Sequence, residues 1–145
     1  MKLEKVALTI LIVALALAIV VYAIYQSRII HNHANIYYIG VEVYWDSECT
    51  QKCTAIDWGN LYPGDTNSKT LYIKNVENTL CTLTMTTSNW NPPEAANHIT
   101  LTWNYNGETL NPNTVLPITF TLHVSPEISG IYSFEFDINI TATST

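Results

Sequence analysis

The stretch "IDWGNLYPGDTNSKTLYIKN", residues 56–75, sets the fold class. Apolar and polar side chains alternate on both sides of Pro63-Gly64-Asp65, which reads as two strands joined by a turn and not as a helix. A strand ends at Gly59, "LYPGDTNS" turns, and "KTLYIKN" returns with Leu71 and Ile73 on the inward phase. The stretch holds no evident catalytic group, so its use lies in what it builds.

The same period of two continues outward along the chain. In "HITLTWN", residues 98–104, the inward set is Ile99, Leu101 and Trp103; in "PITFTLHV", residues 117–124, it is Ile118, Phe120, Leu122 and Val124. In "IYSFEFDINI", residues 131–140, Tyr132, Phe134, Phe136, Ile138 and Ile140 alternate with Ser133, Glu135, Asp137 and Asn139. Weaker alternation occupies residues 36–45, 53–58 and 81–87. Turn chemistry separates these segments, and Asn106-Gly107 predicts a hairpin with a type I′ turn. Only "PPEAAN", residues 92–97, suits a helical turn. About seven short strands, each with one polar face, predict an all-β fold, an immunoglobulin-like antiparallel β-sandwich.

Ahead of the strands stands "VALTILIVALALAIVVYAIY", residues 6–25, with Thr9 as its one plainly polar side chain. A helix of twenty residues, at about 1.5 Å rise each, spans the roughly 30 Å hydrocarbon layer. Lys2 and Lys5 precede it and Arg28 follows, a slight preference for a cytoplasmic N-terminus with the rest outside. "ALA" at 16–18 and "VYA" at 21–23 also satisfy the small-residue rule for cleavage, so a secreted protein with a removed signal peptide is the alternative. The expected organisation is therefore an anchor or signal helix over 1–28, a juxtamembrane linker over 29–35 and an extracellular sandwich over 36–145.

Charge excludes several functions. Beyond Arg28, three lysines (Lys52, Lys69 and Lys74) face eleven carboxylates, within a chain of formal net charge −6. No basic patch exists to displace counterions from a phosphate backbone, so nucleic acid is not an expected partner. No G-x-S-x-G or H-E-x-x-H occurs and the carboxylates are scattered, so no catalytic residue and no cofactor are expected.

Single residue types leave a few candidate sites. Cys49 and Cys53 in "CTQKC" are too far apart for a thioredoxin-type motif, and in an oxidising compartment they are the expected disulfide, with Cys81 a small buried hydrophobe. His31 and His33 share one face if extended, but two ligands do not make a metal site. Trp45 and Trp103 fall on inward phases. Trp90, between Asn89 and Asn91, is the candidate exposed indole, a contact for a sugar or other ligand. Asn139-Ile140-Thr141 is the one N-glycosylation sequon, with Asn139 on the outward phase.

Two families share the pattern of residues 56–75. Ile56, Asp57, Trp58, Gly59, Pro63, Gly64 and Asn75 resemble the first strands of ASH and related immunoglobulin-like domains, which implies that Trp58 is a packing aromatic. Asn60, Leu61, Pro63, Gly64 and Asp65, followed by Ile73, Lys74 and Asn75, resemble the TasA and camelysin fibre subunits and archaeal bundling pilins. A single helix followed by a sandwich is also similar to archaeal pilins and archaellum stator components. The resemblance implies a prokaryotic, archaeal envelope protein.

The expected function is that of a non-enzymatic, membrane-anchored cell-surface protein with a structural or protein-interaction role, its partners other envelope proteins or further copies of itself. The alternatives are a fibre or pilus subunit that donates residues 28–40 to a neighbour's sheet, and a carbohydrate-binding module centred on Trp90.

Overall fold

The computed structural model describes residues 30–145, together with Val13 and Leu15. Its strands are β1 (Ile30–Ile39), β2 (Val41–Tyr44), β3 (Ala55–Leu61), β4 (Thr66–Asn75), β5 (Cys81–Asn91), β6 (Ile99–Trp103), β7 (Val115–Val124) and β8 (Ser133–Ser144), with one 3-10 turn over Pro93–Asn97. They form two four-stranded sheets, a first in the order β3-β1-β8-β5 and a second in the order β2-β4-β7-β6. The inward residues of both sheets make one core, which includes Ile56, Trp58, Leu71, Ile73, Ile118, Phe120, Leu122, Phe134, Phe136, Ile138 and Ile140. Strict alternation put these side chains on one face of each strand, and burial of that face drives the two sheets together.

The segment 36–45 is not one strand, because the chain changes sheets at Gly40: β1 lies in the first sheet and β2 in the second. Gly40 has φ +75°, and a Cβ there would meet the Ala142 Cβ at 3.0 Å, so the corner needs both glycine's backbone freedom and its missing side chain. Residues 30–35, expected as linker, are the first half of β1, with Ile30 and Ala34 buried, so the sheet begins six residues earlier than alternation indicated. The polar sequence "HNHAN" hid this, because its outward face carries His31, His33 and Asn35.

The pairing is also not wholly antiparallel. β1 runs parallel to β8, from His31 beside Ser133 to Ile39 beside Thr141, and antiparallel to β3. Residues 30–39, most of the candidate donor strand, thus fill the centre of this chain's own first sheet. The turn at Asn106-Gly107 is not the expected type I′ hairpin: only Gly107 has positive φ, and the eleven residues between β6 and β7 form a longer loop. That loop is drawn away from a tight hairpin because Leu110 exchanges two backbone hydrogen bonds with Cys81 at the start of β5. Among the described residues no helix is long and apolar enough to cross a membrane; apart from Val13 and Leu15, the expected span 6–25 lies outside them.

Candidate interaction site

The quoted stretch does its work at both ends of β4. β3 and β4 lie in different sheets, so the turn between them is a crossing and not a hairpin. At Pro63-Gly64, the Asp65 carboxylate accepts the Tyr62 N–H at 2.8 Å, Gly64 N–H donates to the Val124 carbonyl at 3.0 Å, and Val124 N–H donates to the Asp65 carbonyl at 2.9 Å. The Asp57 carboxylate accepts the Gly59 N–H at 2.8 Å, and the Asn67 side chain donates to the Trp58 carbonyl at 2.9 Å, tying the two sheets across the crossing.

The other end of β4 is built on Asn75, whose side chain is wholly buried. Its Nδ2 donates to the Thr79 carbonyl at 2.9 Å and to the Leu110 carbonyl at 3.2 Å, and its Oδ1 accepts the Glu77 N–H at 2.9 Å. Its backbone N–H donates to Thr114 and its carbonyl accepts from Asn113, both at 3.0 Å. One amide therefore fixes the end of β4, the loop 76–80 and the loop 104–114. A buried polar side chain is tolerable only when saturated in this way, and the low local dielectric makes each bond costly to break.

Around this knot four large apolar side chains stay in solvent: Ile39 at 69% exposure, Leu80 at 43%, Val76 at 42% and Val115 at 36%. The connections hold them at one end of the molecule. Gly40, next to Ile39, approaches Glu77; Thr145 N–H donates to the Leu80 carbonyl at 3.1 Å; Val115 pairs with Lys74. β1 begins at the opposite end with Ile30, and ten extended residues at about 3.3 Å each separate the ends by roughly 30 Å. Contiguous exposed apolar groups are the kind of surface that contacts between molecules use. The sequence held a partial signal, since Val76 and Leu80 flank a polar turn where no strand needs them. Ile39 and Val115 looked like ordinary strand residues.

Trp90 is not a free indole: it stacks on Phe136 with centroids 4.1 Å apart and planes 6° apart, and its Nε1 donates to Thr87 Oγ1 at 3.3 Å. Its flat alternation phase was disguised by a bulge between Ser88 and Asn91, where Asn89 takes φ +52°. Trp58 is buried as expected, although its Nε1 has no partner, and Trp103 packs against Tyr105 and Phe120. Trp45, expected inward, is 38% exposed because β2 ends at Tyr44 and the loop turns away.

All three cysteines are free thiols. The expected Cys49–Cys53 bridge is not formed, since Cys53 points into the core and its Sγ donates to the Ala55 carbonyl, while Cys49, at φ +57°, turns toward the Ser47 carbonyl. Burial pushes the Cys53 thiol up to about 11 and raises the Cys81 thiol as well. Asn139 faces outward on β8 but is half-buried, its Nδ2 bonded to Ser88 Oγ at 2.8 Å.

Lys52 Nζ meets Glu42 Oε1 at 2.6 Å, and with the Tyr44 hydroxyl it holds the Glu42 carboxyl below the usual carboxylate range. His33 stands in register between Asp57 and Glu135, but among the described residues no group of three or more His, Cys, Asp or Glu can hold a metal ion. A cleft of about 250 Å³ near the start of β1 is lined by Ile30, Pro63, Pro126, Ile128 and Ile131 with Ser129 and Gly130, and brings no titratable group to bear. The chain matches no protein-family model, and no curated protein is significantly similar to it.

Proposed function

We propose that this protein is a non-enzymatic module of the cell surface, an immunoglobulin-like sandwich carried outside the membrane by its N-terminal helix, which binds another envelope protein through the Asn75 end. The observation that carries this reading is the placement of Ile39, Val76, Leu80 and Val115 about 30 Å from the point where β1 leaves the N-terminal segment. A domain tethered at Ile30 turns that apolar end away from the tether. The apolar run 6–25 supports the anchor, and the negative balance of the folded part agrees with an exported domain that avoids anionic lipid. No cofactor and no catalytic centre enter the reading.

The test is photo-crosslinking in intact cells, with a photoreactive residue at Leu80 or, as the comparison, at Tyr62 beside the opposite turn. Specific protein adducts from position 80 and none from position 62 support the reading. Equal or absent adducts at both positions reject it.

A further inference from the structure

The four sheet edges are guarded unequally. β2 has four residues, and the loop after it folds back along it through Trp45 N–H to Gln51 and Cys53 N–H to Val43, both at 2.8 Å. β3 carries Asp57, a bulge against Asn32 and His33, and Gly59 at φ +74°. β6 has five residues and ends at Trp103, against which Tyr105 packs edge-on at 5.3 Å. Short strands, charges and bulges are the usual protections against edge pairing.

β5 differs. It has eleven residues, "CTLTMTTSNWN", without charge or proline. On its free side Cys81 is paired by Leu110, and Leu83 N–H donates to the Tyr105 hydroxyl at 3.0 Å. Alternation then directs the N–H and C=O groups of Met85 and Thr87 to the same side, where among the described residues neither backbone has a hydrogen-bond partner. The open stretch ends at the bulge after Ser88.

We infer that this window, Thr84–Ser88, pairs with the same window of a second copy, antiparallel about a two-fold axis at Thr86. In that register Met85 of each copy exchanges both backbone hydrogen bonds with Thr87 of the other, so every open donor and acceptor is satisfied. The strand is self-complementary because it presents equal numbers of donors and acceptors, and its lack of charge sets no like-charge repulsion at the axis within a chain of net charge −6. The pairing joins two first sheets into one of eight strands. A window this short makes a small interface, so the contact is transient in dilute solution and fills when copies are concentrated.

The register gives the test. Thr84 and Thr86 are both exposed on the outer face of β5, two residues apart. With the axis at Thr86, the two Thr86 Cβ atoms lie about 5 Å apart, whereas each Thr84 faces Ser88 of the other copy and the two Thr84 residues are separated by about 14 Å. Full-length chains with Cys49→Ser and either Thr86→Cys or Thr84→Cys are oxidised in the same detergent micelles, and disulfide-linked dimer is followed by non-reducing electrophoresis. Cross-linking at least tenfold faster for Thr86→Cys is the expected result. Equal rates, faster cross-linking of Thr84→Cys, or no dimer from either overturns the inference. Circular dichroism of both variants verifies that each sheet is intact, and a third variant, Thr86→Ser in the same background, must give no dimer if the introduced thiol is the linking group.

Discussion

Asn75→Ala is the perturbation that bears hardest on this reading. It removes three side-chain hydrogen bonds from a site with no solvent access: two to the carbonyls of Thr79 and Leu110, and one from the Glu77 N–H. A typical hydrogen bond contributes about 1 kcal/mol net, and a buried group left without a partner costs about 1–3 kcal/mol. Water reaching the relaxed loops recovers part of that, so a loss of about 3 kcal/mol is expected. Asn67→Ala, which removes the single bond to the Trp58 carbonyl, is the internal control, at about 1 kcal/mol. Urea denaturation of the full-length chain in mild detergent, followed by tryptophan fluorescence, gives both values. At a slope of about 1.5 kcal/mol/M, the Asn75→Ala midpoint falls by about 2 M. Hydrogen exchange supplies a local readout, because the Glu77 amide loses its acceptor and exchanges faster in the variant. A cost below about 1 kcal/mol, or no greater than that of Asn67→Ala, refutes the argument that one amide organises this end of the molecule.

Other outcomes follow from particular contacts. Gly40→Ala costs about 2 kcal/mol, from positive φ together with a 3.0 Å approach to Ala142, whereas Gly59→Ala, at similar φ with open space around its Cβ position, costs about 1 kcal/mol by the same denaturation assay. Native alkylation at neutral pH modifies Cys49 well before Cys53 and Cys81, and denaturation releases all three thiols. A protein two hydrogens lighter that alkylates only at Cys81 would instead establish the Cys49–Cys53 bridge. The Glu42 carboxyl lies below its ordinary value in the folded state, so its pairing stabilises the fold above the unfolded carboxylate range and the benefit is lost as pH falls through the folded value. Accordingly the stability difference between the native chain and Glu42→Gln shrinks on acidification, and a difference constant with pH contradicts that linkage.

What the sequence disclosed followed from periodicity, and what it hid followed from irregularity. The inward sets of β7 and β8, from Ile118 to Val124 and from Phe134 to Ile140, were legible because each alternates without interruption. β1 was half-hidden because its outward face is unusually polar, with imidazole and amide groups standing on a strand whose inner face is fully apolar only from Ala34 onward. The division at Gly40 was invisible to alternation, since residues on both sides continue an apolar pattern while the chain moves between sheets.

Trp90 shows the same limit: a bulge inverts the phase, and the indole that looked exposed lies flat on Phe136. The Asn75 end needed tertiary knowledge of another kind. Its amide spans to Leu110, thirty-five positions away, and no local pattern reports such a partner. Residues 56–75 read locally as two strands that turn and return, whereas the two strands lie in different sheets, so the turn is a crossing with a polar knot at its far end.

The central claim, a folded domain held outside the cell, is tested most directly at Cys49, the one cysteine that is not buried. Intact cells are treated with a membrane-impermeant maleimide and compared with lysed cells, with Cys49→Ser as the control for specificity. The account predicts labelling of the intact cells that matches the lysate and disappears in the variant; labelling that appears only after lysis would contradict it.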